Sequence, residues 1–312
     1  MAKLACLFPG QGSQSVGMGL DLFNNFAEAK STYEKIDGIA GRALSTLSFT
    51  GPEEELKRTI NTQPTILATS LAAWACYKSL GGPMPDFVAG HSLGEITALV
   101  AAGAISLEDA VRLVDKRSAL MESCPKGAMT AVLGMSAADL ESVCTDASTD
   151  SECVVVANFN TKDQLVISGN PEAVARAGAL VKERSGKAIP LPVGGAFHSP
   201  LMSAAAREFT QALAECKFND AVCSVVQNYD AQESRKAEVM KEKLGKQMES
   251  PVRWTATIEL LAAHGVETII EIGPGKVLAG LVKKIDRSIK ILNVSDSESL
   301  NATIAALKAV TV

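Results

Sequence analysis

Phe87-Val88-Ala89-Gly90-His91-Ser92-Leu93-Gly94-Glu95-Ile96-Thr97-Ala98-Leu99-Val100 is the stretch on which the fold turns. Residues 86–90 read as a short buried strand, and an Ala/Leu/Val-rich helix starts near Leu93. Between them sits Gly90-His91-Ser92-Leu93-Gly94, a G-x-S-x-G pentapeptide in the strand–turn–helix context that a nucleophile elbow requires. The glycines allow a sharp turn that presents the Ser92 hydroxyl at the sheet's edge. The helix N-terminus offers free N–H groups and partial positive charge where an oxyanion would develop. The same letters carry a second reading: Ser92 with Glu95 three residues on is a capping box.

Outward from this stretch, strands and helices alternate, which predicts an α/β fold with a mostly parallel sheet covered by helices on both faces. Residues 3–8 read as a buried strand followed by the loop Pro9-Gly10-Gln11-Gly12-Ser13-Gln14. Helices are expected at roughly 19–35, 53–59 and 64–80, the last with Pro64 at a first helical position and Gly81-Gly82-Pro83 ending it. Ser106 caps a helix with Glu108 and Asp109 in its first turn, running to about Ser123. Then come a strand at 128–135, a helix at 137–146 behind Ser136 and strands at 153–158 and 164–168. A helix from Asn170-Pro171 to about Arg184 and a strand at 187–193 complete this stretch. That β-α-β-β-α-β order is ferredoxin-like. Because it sits inside the chain, two subdomains are expected. Residues 1–123 and 198–312 make a large hydrolase-like α/β unit, and 124–197 make a small ferredoxin-like insert. Helices at 199–216, 235–246, 252–263 and 276–286, strands near 223–227, 267–272 and 289–294, and a terminal helix finish the large unit.

Composition narrows the function. The chain has 312 residues, a size that suits two units at ~150 residues each. It is 47% hydrophobic and 21% charged, which argues for a packed core and against disorder. Its net charge is −5 and its pI near 5.4, which argues against a nucleic-acid binder, since that would need a basic footprint, and leaves room for a local basic patch toward a protein partner. No apolar run reaches the ~18 residues needed to span a bilayer. Met1-Ala2-Lys3-Leu4 leads directly into an apolar strand with no secretion-signal pattern. Seven cysteines, an odd number with no C-x-x-C pair, read as reduced and mostly buried thiols in a cytosol-like compartment.

Only three histidines exist: His91, His198 and His264. A serine nucleophile needs a base. His91 adjoins Ser92, but adjacent side chains at a sharp turn diverge. His264 lies at a helix end, where a C-cap role is expected. His198 sits in a strand-to-helix loop and is the base by elimination. Arg117 falls on the apolar face of its helix with Ala110, Leu113, Val114, Leu120 and Met121, while Arg112 and Lys116 fall on the polar face. A guanidinium there needs an anion, either an internal Asp or Glu or a substrate carboxylate held bidentately. Gln11 is either an ordinary loop residue or a second backbone donor for an oxyanion, reaching a neighbouring strand's nucleophile from the end of the first strand. No phosphate-loop pattern is present.

These residues together resemble the malonyl-CoA:acyl-carrier-protein transacylases of bacterial-type fatty acid synthesis and their polyketide acyltransferase relatives. The resemblance runs through Phe8-Pro9-Gly10-Gln11-Gly12-Ser13-Gln14, Thr62-Gln63-Pro64, Gly90-His91-Ser92-Leu93-Gly94-Glu95 and Arg117. It continues through Asn158, Asn160, Gln164-Leu165-Val166-Ile167-Ser168-Gly169 and Ala196-Phe197-His198-Ser199. The tail adds Gln247, Pro251-Val252-Arg253-Trp254 and Glu271-Ile272-Gly273-Pro274-Gly275. The resemblance implies Ser92 as the acylated nucleophile and His198 as its base. It implies that the Gln247 carbonyl orients that base and that the Gln11 and Leu93 amides form the oxyanion hole. Arg117, Phe197, Met121 and Asn160 would bind substrate, with Arg117 on the malonyl carboxylate. No metal or redox cofactor is implied. The partners would be malonyl-CoA and holo acyl carrier protein, with no nucleic acid or membrane, and the protein a monomer of the cytoplasm or, after removal of a transit peptide, of the plastid stroma. A serine hydrolase that edits acyl thioesters is the competing activity. For an acidic carrier, Lys276, Lys283 and Arg287 are the candidate docking residues, sharing a helical face by i, i+7, i+11 spacing. A solvated face is the alternative, and Lys187 of the insert the fallback.

Overall fold

Two sheets organise residues 3–309, the part of the chain that the computed structural model describes. The expected run from Met1-Ala2 into the first strand is therefore described only from Lys3. The strands are β1 (Lys3–Phe8), β2 (Phe87–Gly90), β3 (Ala128–Leu133), β4 (Val154–Thr161), β5 (Gln164–Gly169), β6 (Lys187–Pro190), β7 (Ser224–Val226), β8 (Glu233–Ser234), β9 (Val266–Ile272) and β10 (Lys290–Val294). The larger sheet has the order β10-β9-β1-β2-β7-β8. All its pairings are parallel except β7 with the two-residue edge strand β8, which the sequence did not announce.

The central strand shows why the sheet is covered on both faces. Side chains alternate across a strand. Leu4, Cys6 and Phe8 enter one core with the helix Thr59–Ser79, while Ala5 and Leu7 enter another with Trp254, Ile258, Leu278 and Leu281. A strand with both faces buried reads as a continuous apolar run, which is how Leu-Ala-Cys-Leu-Phe appears.

The smaller sheet has the order β4-β5-β3-β6 and is antiparallel throughout, the ferredoxin-like arrangement. One face carries Val132, Val154, Val156, Leu165 and Ile167 beneath the helices Ala137–Ala147 and Pro171–Glu183. From the other face Met129 and Val166 join the main core. At its β4 edge, Phe159 N–H donates to the Val252 carbonyl at 2.9 Å and Val252 N–H to Ala157 at 2.8 Å, tying this sheet to the helix Trp254–Ala263.

Several local expectations need correction. The helix placed at 19–35 is two, Leu20–Asn25 and Ala27–Ala40, because Phe26 between them is extended. A further helix, Leu44–Thr50, was not anticipated. Pro64 is not at a first helical position: the helix begins at Thr59 and runs through it. Proline lacks the N–H that would bond the carbonyl of Ile60. That carbonyl instead accepts from Arg42 Nη2 at 3.0 Å and from Ser118 Oγ at 3.4 Å, so tertiary partners take up the bond the helix loses.

Candidate active site

The elbow is built by close backbone packing. A Cβ on Gly90 would lie 1.9 Å from the Gly94 carbonyl carbon, and one on Gly10 would lie 2.3 Å from the His91 oxygen, so only glycine fits at either place. Between them Ser92 takes φ 51°, a left-handed conformation that a non-glycine residue holds only under constraint. Asn228 supplies the constraint. Its Oδ1 accepts from Ser92 N–H at 2.8 Å, its Nδ2 donates to Gly90 O at 2.7 Å, and its own N–H donates to Glu95 Oε2 at 2.7 Å. Gln227 Nε2 donates to Glu95 Oε1 at 3.1 Å. The Glu95 carboxylate is fully buried, and desolvation holds its carboxyl above the usual range. The capping-box reading of Ser92 and Glu95 is therefore not met: the Ser92 hydroxyl bonds elsewhere and Glu95 anchors the loop after β7.

Ser92 Oγ lies 2.7 Å from His198 Nε2. The other ring nitrogen, Nδ1, faces two carbonyls, Gln247 O at 3.0 Å and Ser250 O at 3.1 Å. Carbonyls only accept, so Nδ1 carries the proton and Nε2 presents its lone pair to Ser92. His198 is itself at φ 58°, with its N–H donating to Met248 O at 3.0 Å. Burial first, and the Arg117 charge second, push its pKa down to about 3, so it is neutral at physiological pH.

Arg117 is fully buried on the helix Leu107–Glu122. Nη1 donates to Gln63 Oε1 at 2.6 Å, and Nη2 donates to Ser92 Oγ at 3.0 Å and to Gln247 Oε1 at 3.1 Å. Nε has no partner among the described residues. Burial lowers its pKa to about 10, which leaves it charged at neutral pH. No carboxylate pairs with it within 4.0 Å among the described residues, so of the two sequence readings the internal ion pair is not formed.

The remaining candidates fall around this centre unevenly. The backbone amides of Gln11 and Leu93 donate to no other described residue, while the Gln11 side chain reaches Thr59 Oγ1 at 3.5 Å. Met121 Sδ accepts from Gln63 Nε2 at 3.1 Å. Asn160 Oδ1 lies 2.8 Å from Nε2 of His91, whose ring packs on Trp254, so this histidine points away from Ser92 as expected. Phe197 is buried in the main core. A cleft of about 560 Å³ beside β4, lined by Phe159, Pro200 and Arg253, reaches His198. His264 ends the helix Trp254–Ala263, packs on Phe87 and lies 3.6 Å from Glu233.

Lys276, Lys283 and Arg287 are exposed, but they do not share a helical face. The helix spans only Val277–Ile285, leaving Lys276 and Arg287 outside it. Asp286 is extended at φ −142°, and its Oδ1 accepts from the Ser288 N–H and hydroxyl, a turn that stops the helix. The sequence also missed partners. In the sequence Gln63 stands only as part of a motif, and Asn228, Gln227 and Ser250 carry no role. The available signal for two of them was the polar run Gln227-Asn228-Tyr229-Asp230 straight after an apolar strand, at the carboxyl end of a parallel sheet.

Residues 6–306 match the acyl transferase domain family. The chain is 47% identical over 312 residues to the malonyl CoA-acyl carrier protein transacylase of Bacillus subtilis, covering 99% of this chain and 98% of that one. An acyl carrier protein S-malonyltransferase from Vibrio cholerae superposes with a TM-score of 0.94 at 42% identity, over 97% of this chain and 100% of that one. A malonyl-transacylase in complex with its type II polyketide synthase acyl-carrier protein superposes with a TM-score of 0.94 at 38% identity, over 98% of this chain and 100% of that one. With likeness of this extent, the chain belongs to the acyl transferase family, among the malonyl-CoA:acyl-carrier-protein transacylases.

Proposed function

We propose that the chain transfers malonyl from malonyl-CoA to the phosphopantetheine thiol of acyl carrier protein in two half-reactions through an acyl-Ser92. One observation carries this reading: Ser92 Oγ is shared between the lone pair of His198 Nε2 and a donor of the unneutralised Arg117. The malonyl carboxylate sits on Arg117. His198 takes the Ser92 proton as Oγ attacks the thioester carbonyl. The oxyanion is received by the Gln11 and Leu93 amides, contacts worth ~3–4 kcal/mol per donor. The tetrahedral intermediate collapses, the C–S bond breaks, and His198 returns the proton to the CoA sulfur. In the second half the carrier thiol gives its proton to His198 and attacks the acyl carbonyl, and Ser92 leaves with that proton.

Phe197, Met121 and Asn160 complete the acyl pocket in this proposal. The chemistry belongs to residues 1–123 and 198–312, and 124–197 act as its cover. Exposed Lys276, Lys283 and Arg287 receive the acidic carrier as a surface set. A monomer in a cytosol-like compartment fits this role, and no helix among the described residues is long and apolar enough to cross a membrane. Mass spectrometry tests the whole route. Malonyl-CoA should leave a malonyl group on the Ser92 peptide, and holo carrier should then remove it and become malonylated. An adduct on another residue, or one released only to water, would overturn the transfer reading and favour an editing hydrolase.

A further inference from the structure

A buried cation normally finds a carboxylate, because an uncompensated charge in the interior is costly. The surroundings of Arg117 are different. Its bonds go to three neutral oxygens: Gln63 Oε1, Gln247 Oε1 and Ser92 Oγ. Glu95 is near enough to act on it electrostatically, but both Glu95 oxygens are taken by Asn228 and Gln227. The guanidinium is thus oriented without being neutralised. Gln63 makes the shortest of these contacts, at 2.6 Å, from a position only 1% exposed.

The chemistry also fixes which way the Gln63 amide points. Arg117 can only donate, so the amide oxygen must face it, and Nε2 is left for the Met121 thioether at 3.1 Å. Arg117 and Met121 are i, i+4 neighbours on one helix, so a single side chain braces both. Next in sequence, Pro64 frees the Ile60 carbonyl for Ser118, the neighbour of Arg117, at 3.4 Å. That contact registers the Thr59–Ser79 helix against the Leu107–Glu122 helix and brings Gln63 opposite the guanidinium.

We infer that Gln63 is a positioning residue that sets acyl selectivity: its neutral amide holds Arg117 in place while leaving the positive charge free for the carboxylate of an incoming acyl group. The inference rests on the reading of Arg117 as the carboxylate clamp. A glutamate has the same shape as glutamine, but at 2.6 Å it would form an internal ion pair and compete with the substrate. A leucine would remove the brace without adding charge.

Acylation of Gln63→Glu, Gln63→Leu and Arg117→Ala with malonyl-CoA and with acetyl-CoA separates the possibilities. The reaction of Ser92 with a neutral sulfonyl fluoride serves as a control for the nucleophile. For Gln63→Glu the malonyl-to-acetyl ratio of kcat/KM should fall about 100-fold, chiefly through the KM for malonyl-CoA, the scale of a competing close charge pair. The thermal midpoint should be at or above that of the wild type, because the buried charge gains a partner. For Gln63→Leu the ratio should fall less, about 5- to 10-fold, the upper part of the net range for losing one hydrogen bond. Equal losses for both substrates, or an unchanged ratio in Gln63→Glu, would overturn the inference; if that variant does not fold, Gln63→Leu decides by the same ratio. An unchanged ratio in Arg117→Ala would remove the carboxylate clamp itself. A lowered ratio in Arg117→Ala with an unchanged one in Gln63→Glu would sink the role of Gln63 alone.

Discussion

The two poles of the site are held by different materials. At the nucleophile pole, His198 is oriented by the backbone carbonyls of Gln247 and Ser250. At the charged pole, Arg117 is oriented by side chains, Gln63 and Gln247. Gln247 serves both: its carbonyl accepts from His198, its Oε1 accepts from Arg117, and its Nε2 donates to Ser92 O at 2.9 Å. A carbonyl is present whatever the residue, whereas a side-chain oxygen is not. The difference teaches that the orientation of the base is insulated from substitution around it and that the choice of acyl group is exposed to it.

The comparison can be broken most severely at Ser92. Ser92→Ala should lower acylation by at least about 10⁴-fold while the protein stays folded, since the hydroxyl caps no helix here. Intact-mass analysis with malonyl-CoA checks this, and near-normal malonyl transfer by the variant would end the assignment. Next in size, His198→Ala should cost about 10²- to 10⁴-fold, the range for a positioned general base, while His264→Ala should cost less than about 2-fold. In the wild type, acylation should stay flat from pH 8 to pH 5. A base is lost only as pH falls through its pKa, which burial and Arg117 have moved from 6.5 to about 3. An acidic limb centred near 6.5 would show that His198 is not held down.

Gln247→Ala sharpens the contrast between the poles. It keeps the carbonyl at His198 and removes the amide that accepts from Arg117 and donates to the Ser92 carbonyl. Acylation by malonyl-CoA should drop about 10-fold and acetyl-CoA should suffer less, on the scale of one hydrogen bond to a charged group. Steady-state kinetics with both substrates would show it, and equal losses would mean that the poles are not separable. The smallest effect belongs to the rim. Charge reversal at Lys283 and Arg287 should raise the carrier KM about 3- to 5-fold without altering acylation, and added salt should mimic it, because exposed charges are screened over ~8 Å at physiological ionic strength. An unchanged carrier KM would redirect attention to Lys187.

What was legible in the sequence follows the same division. Ser92 stood out by its turn, His198 by the scarcity of histidines, and Arg117 by lying on the wrong face of an amphipathic helix. Each is a local anomaly. Gln63 and Asn228 are ordinary polar residues whose partners lie 54 and 136 positions away, and no periodicity marks them. Strands inside the sheets were legible as apolar runs, whereas the two-residue β8 is defined only by its neighbour β7. Pro64 misled because a proline inside a helix is tolerated only when something else takes the orphaned carbonyl, and Arg42 and Ser118 come from distant segments. The docking face failed because helical spacing was carried past Asp286, where the chain leaves the helix.

In the proposed reaction the malonyl group arrives and departs on sulfur, and that gives the seven cysteines a meaning beyond packing. All are free, and five are buried. Burial pushes Cys216 and Cys223 up to about 11 and Cys76 and Cys144 up to about 12, and it raises Cys6 as well. Even the partly exposed Cys124 and Cys153 are raised by the same cause. A thioester exchanges with thiolates, not with thiols. Burial thus disfavours the thiolate at each of the protein's own cysteines, so the competition they offer to the thiol of the partner is suppressed.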